Sequence, residues 1–176
     1  DFDDAFSDAR EFMCSDDLQE FIETHHLGRA SGMQVGMNGG HCNPRIVFGT
    51  STVKDHIYNT PRAWYMYRYL DLDDAENHTP ESDDIPWCLE PEQAVTVEDV
   101  DFLLGSHFEG TPYDPYGTQG TEESRHRYRP IGINRTGHMV AMQIRPYAPA
   151  ESRSIMWISY GSGAFTTSVP FYANVD

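Results

Sequence analysis

Ile131-Gly132-Ile133-Asn134-Arg135-Thr136-Gly137-His138-Met139-Val140-Ala141-Met142-Gln143-Ile144-Arg145, followed beyond Pro146 and Pro149 by Ile155-Met156-Trp157-Ile158-Ser159-Tyr160, is the stretch on which the fold class turns. From His138 to Arg145 apolar and polar positions alternate, which puts Val140, Met142 and Ile144 on one face of a strand. Ile131 and Ile133 lead into Asn134-Arg135-Thr136-Gly137, a candidate hairpin turn. The two prolines break the pattern. Ile155 to Tyr160 reads as a further strand, ended by Gly161-Ser162-Gly163.

Upstream the period changes to that of a helix. Leu18, Phe21, Ile22 and His25 fall at i, i+3, i+4 and i+7 after a capping Ser15 and acidic Asp16 and Asp17, with Gly28 as a stop. The glycines and Asn38 between Ser31 and Gly40 read as a loop that Pro44 ends, and Arg45 to Gly49 as a short apolar patch. A second helical region starts near Thr50 with Val53 and Ile57 on one face. Thr60 as cap with Pro61 in the first turn starts another helix, which runs to about Leu70 and carries Trp64, Tyr65, Tyr67 and Tyr69. Asp71 to Pro86 is acidic and reads as a solvated loop. Thr96 with Asp99 three residues on forms a capping-box pattern for a third helix, with Val97, Val100, Leu104 and Phe108 as its buried stripe and Gly110 at its end. Gly105 inside that helix points to close packing. Thr111-Pro112-Tyr113-Asp114-Pro115-Tyr116-Gly117 is a turn-rich loop. Helices first and antiparallel strands later give an α+β layered fold, occupying residues 1–176 as a single domain or a fragment of a larger one.

Composition narrows the function classes. Hydrophobic residues make up 39% of the chain and aromatics 12%, enough for a core. No apolar run reaches the roughly 18–20 residues of a membrane helix, so no membrane partner is expected. Twenty-eight acidic against 12 basic residues leave a net charge of -16, which argues against a sequence-independent grip on nucleic-acid phosphates. Cys14, Cys42 and Cys88 are an odd, widely spaced set without a CxxC, and read as reduced thiols of a cytoplasmic protein. No signal peptide is visible.

The chemical candidates are few. His25 and His26 are adjacent and point apart on a helix, so they chelate poorly, and His41 beside Cys42 adds no convergent set; no metal or cofactor is expected. His25 should be packed and His26 exposed. Cys14 precedes a helix start, where a thiolate is favoured, but lacks a local signature. Gly161-Ser162-Gly163 does not have the spacing of a nucleophile elbow, and no phosphate-binding glycine loop is present. Arg62, amid aromatics, can stack on them or donate a forked hydrogen bond to a carboxylate or oxyanion. The rings around it read as core or as a binding face, and the Tyr113/Tyr116 loop as a pocket wall or a rigid turn.

Longer runs carry a resemblance. Phe48-Gly49-Thr50-Ser51-Thr52-Val53-Lys54-Asp55, Tyr58-Asn59-Thr60-Pro61-Arg62-Ala63-Trp64-Tyr65, Ser106-His107-Phe108-Glu109-Gly110-Thr111-Pro112-Tyr113-Asp114-Pro115-Tyr116-Gly117, Tyr128-Arg129-Pro130-Ile131-Gly132-Ile133-Asn134-Arg135 and Val169-Pro170-Phe171-Tyr172-Ala173-Asn174-Val175 resemble the C69 dipeptidases, in family order. The resemblance implies an N-terminal-nucleophile hydrolase with a four-layer αββα sandwich, cleaving dipeptides through a cysteine exposed at a processed N-terminus. None of the three cysteines matches that position. The nucleophile is therefore expected upstream of Asp1, and this chain is expected to be an internal segment without activity of its own. The resemblance implies a catalytic role for Arg62 with Asn59 beside it, and substrate binding at Tyr113 and Asp114. The expected partners are the dipeptide, the missing N-terminal part of the same protein and, with an apolar face uncovered, other copies of the segment. The rival readings are a non-catalytic binding domain with an aromatic recognition surface, and a different hydrolase using Cys14.

Overall fold

The computed structural model describes residues 15–27, 37–38, 41–42, 48–70, 75–83, 85 and 90–173. Cys14, Cys88, Gly28, Pro44 and the glycines between Ser31 and Gly40 lie outside the described residues. The chain divides into two compact units, Asp1–Ser51 and Thr52–Asp176.

In the first unit, helix α1 spans Leu18–Thr24. Asp17 rather than Ser15 occupies the cap position, without a side-chain bond. Ser15 contributes its carbonyl instead, to Leu18 N at 3.1 Å. Ile22 is buried, whereas Phe21 is 49% exposed. His25, expected to pack, is exposed, because the helix has already ended and the ring only rests on Phe21, 4.4 Å between centroids. Within the region read as a loop, β1 (Met37–Asn38) pairs antiparallel with β2 (His41–Cys42).

The second unit opens, among the described residues, with α-helices. Thr52 and Asp55 exchange the reciprocal bonds of a capping box: Thr52 N and Oγ1 donate to Asp55 Oδ2 at 2.8 and 2.6 Å, and Asp55 N donates to Thr52 Oγ1 at 3.4 Å. Helix α2 (Asp55–Tyr58) therefore starts later than the sequence pattern suggested, and Val53 is 77% exposed. Helix α3 (Thr60–Leu70) buries Pro61, Trp64, Tyr65 and Tyr67. Helix α4 (Val97–Gly105) has the expected Thr96/Asp99 capping box. The core joins the α3 aromatics to Ala75, Ile85, Leu103, Phe108 and Tyr128. Ala75 and Ile85 come from the segment expected to be a solvated loop. Its backbone is tied in by Trp64 Nε1, which donates to His78 O at 3.1 Å, so an acidic composition here decorates a packed segment. Trp64, Tyr65 and Tyr67 lie in the core, whereas Tyr69 on the same helix is exposed.

After a single turn of helix, α5 (Glu122–Arg125), the chain forms a three-stranded antiparallel sheet in the order β3 (His138–Ile144), β4 (Ser154–Tyr160), β5 (Val169–Tyr172). β5 carries Pro170, which is tolerated because the strand lies at the sheet edge. The expected hairpin at Asn134–Gly137 does not form. Gly132 N donates to Ser106 O at 2.7 Å, which draws residues 131–133 away from the sheet onto the end of α4. The β3–β4 connection is Arg145–Arg153 instead.

The register sorts the sheet into two faces. Met139, Ile155 and Ser159 are buried on the face that packs against α4 and the short 3-10 turn Gly163–Phe165. The other face carries Val140, Met142 and Ile144 of β3. Val140 and Met142 pair with Ile158 and Met156, which pair in turn with Val169 and Phe171. This apolar face is open: Met142 is 83% and Ile144 73% exposed. No helix among the described residues is long and apolar enough to cross a membrane.

Candidate functional site

The loop after α4 is built around a buried hydroxyl. Ser106 is fully buried, and its Oγ donates to Glu109 Oε2 at 2.6 Å. The same carboxylate oxygen accepts His107 N at 3.0 Å, and Phe108 N donates to Ser106 Oγ at 3.2 Å. From α3, Tyr65 OH donates to Glu109 O at 3.0 Å and lies 3.3 Å from Oε2. Phe108 sits between these groups with φ +72 and no exposure, its ring 5.5 Å from that of Tyr65. A non-glycine residue in the left-handed region carries backbone strain, and here the buried ring and the flanking bonds hold it there.

His107 bridges two carboxylates. Its Nδ1 is 2.7 Å from Asp114 Oδ1 and its Nε2 3.2 Å from Glu109 Oε1, while its ring meets Tyr116 edge-on at 4.9 Å. Asp114 is buried, and its Oδ1 also accepts Tyr116 N at 2.9 Å, the local bond of a turn aspartate. Ser106 donates to Glu109 rather than to His107, so the adjacent serine and histidine are not a nucleophile and its base. The arrangement fixes a loop and presents the partly exposed Glu109 and His107 side chains at its rim.

Burial, with the charge of Glu109 adding to it against an opposing Ser106 hydrogen bond, pushes the Tyr65 phenol up to about 12 from an ordinary 10. The linkage has a definite sign. Below pH 10 the phenol is neutral folded or unfolded; between pH 10 and 12 the unfolded chain ionises first, so stability falls as pH rises. In denaturant titrations from pH 9 to 12, Tyr65→Phe should therefore lose stability less steeply than wild type. Parallel curves would show that this phenol is not held in its neutral form.

Arg62 and Asn59, the pair singled out for catalysis, lie at the junction of α2 and α3. Asn59 Nδ2 donates to Asp55 Oδ1 at 2.8 Å, and Arg62 Nε donates to Arg129 O at 3.2 Å. Neither Nη of Arg62 has a partner among the described residues. Burial and then the charge of Arg129 hold the Arg62 guanidinium below its usual range. Tyr113 and Asp114, singled out for substrate binding, lie on the loop after α4. Tyr113 packs edge-on against Trp64 at 6.0 Å and tilted against Tyr128 at 4.9 Å. An open concavity of about 290 Å³ lies beside Arg129, between Ile57, Tyr58 and residues 126–135, and none of the four lines it. Arg62 and Tyr113 both reach the Tyr128–Arg129 segment, Arg62 through the Arg129 carbonyl and Tyr113 through the Tyr128 ring.

Glu109 is the residue that the sequence reading passed over. Its signal was the Ser106-x-x-Glu109 spacing, that of a capping box, here used at the end of a helix rather than its beginning. Among the described residues no group of three His, Cys, Asp or Glu side chains could hold a metal ion.

A sequence model described as Peptidase family C69 matches residues 1–176. The chain is 52% identical over 183 aligned positions to the "Dipeptidase" of Bifidobacterium longum (strain NCC 2705), covering 100% of this chain and 33% of that protein. It is 44% identical to the "Probable dipeptidase A" of Streptococcus pyogenes serotype M18 (strain MGAS8232), over 97% of this chain and 34% of that protein. With "Dipeptidase A" of Lactobacillus helveticus it shares 39% identity, again over 97% of this chain and 34% of the relative. The chain spans about a third of the length of these relatives. The runs that build the Thr52–Asp55 cap, the Arg62 helix and the Glu109 loop are thus held within a full-length match, and the chain belongs to peptidase family C69.

Proposed function

We propose that this chain is a segment of a cysteine-type dipeptidase whose nucleophile lies on polypeptide outside these 176 residues. The observation that carries the reading is the match along the entire chain to proteins named dipeptidase, on only a third of their length. In the chemistry the resemblance implies, an N-terminal cysteine thiol gives its proton to its own α-amino group, whose pKa of roughly 8 suits the task. The sulfur attacks the peptide carbonyl, the leaving amine takes the proton, and water hydrolyses the thioester to release the acid and regenerate the thiol. No cysteine of this chain is assigned that role.

Within this scheme Arg62 faces the oxyanion, for which its two Nη groups supply a fork, and Asn59 positions the start of its helix through Asp55. Tyr113 and Asp114 belong to the substrate wall: Asp114 fixes His107, which sets the rim at Glu109, where a dipeptide ammonium would find a carboxylate. The sheet, covered by α4 on one face and open on the other, is one αβ half of an αββα sandwich. The second sheet, from the remainder of the parent, closes it. The odd, widely spaced cysteines of this segment fit a parent in a reducing, cytoplasmic compartment. On a panel of dipeptides the 176-residue chain should show no turnover, and the complete parent should lose turnover on thiol alkylation. Hydrolysis by the chain alone, at a rate like the parent's, would sink the assignment.

A further inference from the structure

The concavity beside Arg129 runs against the composition of the protein. Acidic residues outnumber basic ones 28 to 12, yet this surface gathers Arg127, Arg129, Arg135 and His126, and no Asp or Glu lines it. The four are not equivalent. Arg127 is already compensated, with its Nη2 2.7 Å from Glu81 Oε1. Tyr128 OH donates to the same oxygen at 2.6 Å, and that bond first, then Arg127, holds the Glu81 carboxyl below its usual range. Arg129 and Arg135 have no carboxylate partner among the described residues.

Arg129 is also rigidly mounted. Its N donates to Ile57 O at 3.0 Å, its O accepts Arg62 Nε at 3.2 Å, and its guanidinium lies over the Tyr58 ring, 5.6 Å from the centroid. Stacking on a ring fixes the plane of the guanidinium while leaving its edge available. Arg62, whose Nε donates to Arg129 O, is close enough for the charge of Arg129 to help hold its guanidinium below the usual range. An anion in the concavity would meet Arg129 and Arg135, which line it without a carboxylate partner among the described residues. The volume, about 290 Å³, suits a small group and not a folded partner. Of small anions, a planar carboxylate matches a guanidinium edge with two parallel hydrogen bonds.

We propose that this concavity is a carboxylate-binding subsite, held by Arg129 and Arg135 over the Tyr58 ring. Two sources present that chemistry: the free C-terminal carboxylate of a short peptide, which rests on the dipeptidase reading, and an Asp or Glu side chain of the parent outside this chain, which does not.

The probe is N-acetylglycine, with N-acetylglycinamide as the uncharged control. Titrated into the 15N-labelled chain, the acid should shift the amides of residues 126–135 and the amide compound should not. Arg129→Gln should weaken binding at least tenfold. Arg135 is exposed, so Arg135→Gln, which leaves the fold untouched, should weaken it several-fold. In the complete parent the two sources separate. If the peptide terminus is the ligand, N-acetylglycine competes with dipeptides and Arg129→Gln raises KM at least tenfold. If a parent side chain is the ligand, N-acetylglycine does not bind the parent, and Arg129→Gln lowers its Tm instead. No shift in the isolated chain at 50 mM probe, on the order of the weakest useful carboxylate affinity, or binding indifferent to both substitutions, overturns the subsite. A parent without dipeptidase activity would remove the peptide arm only.

Discussion

Gly132→Ala is expected to cost about 3 kcal/mol or more of folding stability, at the upper end of what overpacking does to a core. Three backbone segments meet at this point. A Cβ on Gly132 would overlap Gly105 O and C and stand 2.8 Å from Gly105 Cα. Gly105 cannot retreat, because a Cβ of its own would lie 2.7 Å from Gly163 C and 2.8 Å from Ala164 N. All of these are main-chain atoms, so no side-chain rotation relieves the clash. The neighbouring bond from Gly132 N to Ser106 O, at 2.7 Å, sets the position of Ser106 and with it the Glu109 network. Gly132→Ala should therefore also loosen the loop that carries His107 and Asp114. Gly137→Ala is the control: a Cβ there meets nothing within 4 Å, and its cost should stay below about 1 kcal/mol. Denaturant midpoints of the two variants decide the matter. Equal, small losses would mean that the end of α4 shifts freely against residues 131–133 and 163–164.

That junction also marks where sequence reading reaches and where it stops. Local chemistry was legible: Thr96 with Asp99 caps α4, the alternation from His138 makes β3, and Gly105 inside a helical pattern signals a close approach. The partners in that approach were not legible, because Gly132 and Gly163 come from segments with no periodicity linking them to Gly105. The same limit turned Ile131 and Ile133 from an expected lead-in to a hairpin into a packed turn. β5 escaped notice because Pro170 disqualifies a central strand, and only the sheet order shows it to be an edge. For the site, the residue types were visible and the pairings were not. Arg62 was found as an arginine among aromatics, but its bond to Arg129 O spans 67 positions. Glu109 was hidden for a different reason: its spacing from Ser106 has a purely local meaning, and its bonds to Tyr65 and His107 appear only in three dimensions.

Met142→Lys combined with Ile144→Glu should act in opposite directions on the chain and on its parent. In the isolated chain both side chains are exposed, by 83% and 73%, and they extend an apolar strip through Val140, Met156, Val169 and Phe171. Monomers in water rarely leave so continuous a strip uncovered, and the two edge strands that flank it, β3 and β5, have no further strand partner among the described residues. The unaltered chain should therefore self-associate in light scattering, and the double variant should be monomeric at the same concentration. Its stability should hardly change, since neither side chain packs on α4. In the parent the outcome reverses if this face meets a second sheet. The two substitutions would then bury an ammonium and a carboxylate between apolar layers, each costing several kcal/mol after relaxation. Their mutual attraction across neighbouring positions of one strand face recovers only part of that. The parent variant should consequently fail to fold or fall far in Tm, and dipeptide hydrolysis should go with it. A parent that keeps its Tm with both charges in place would show that this face looks onto solvent in the whole protein, and the layered sandwich would have to be built on the other side of α4.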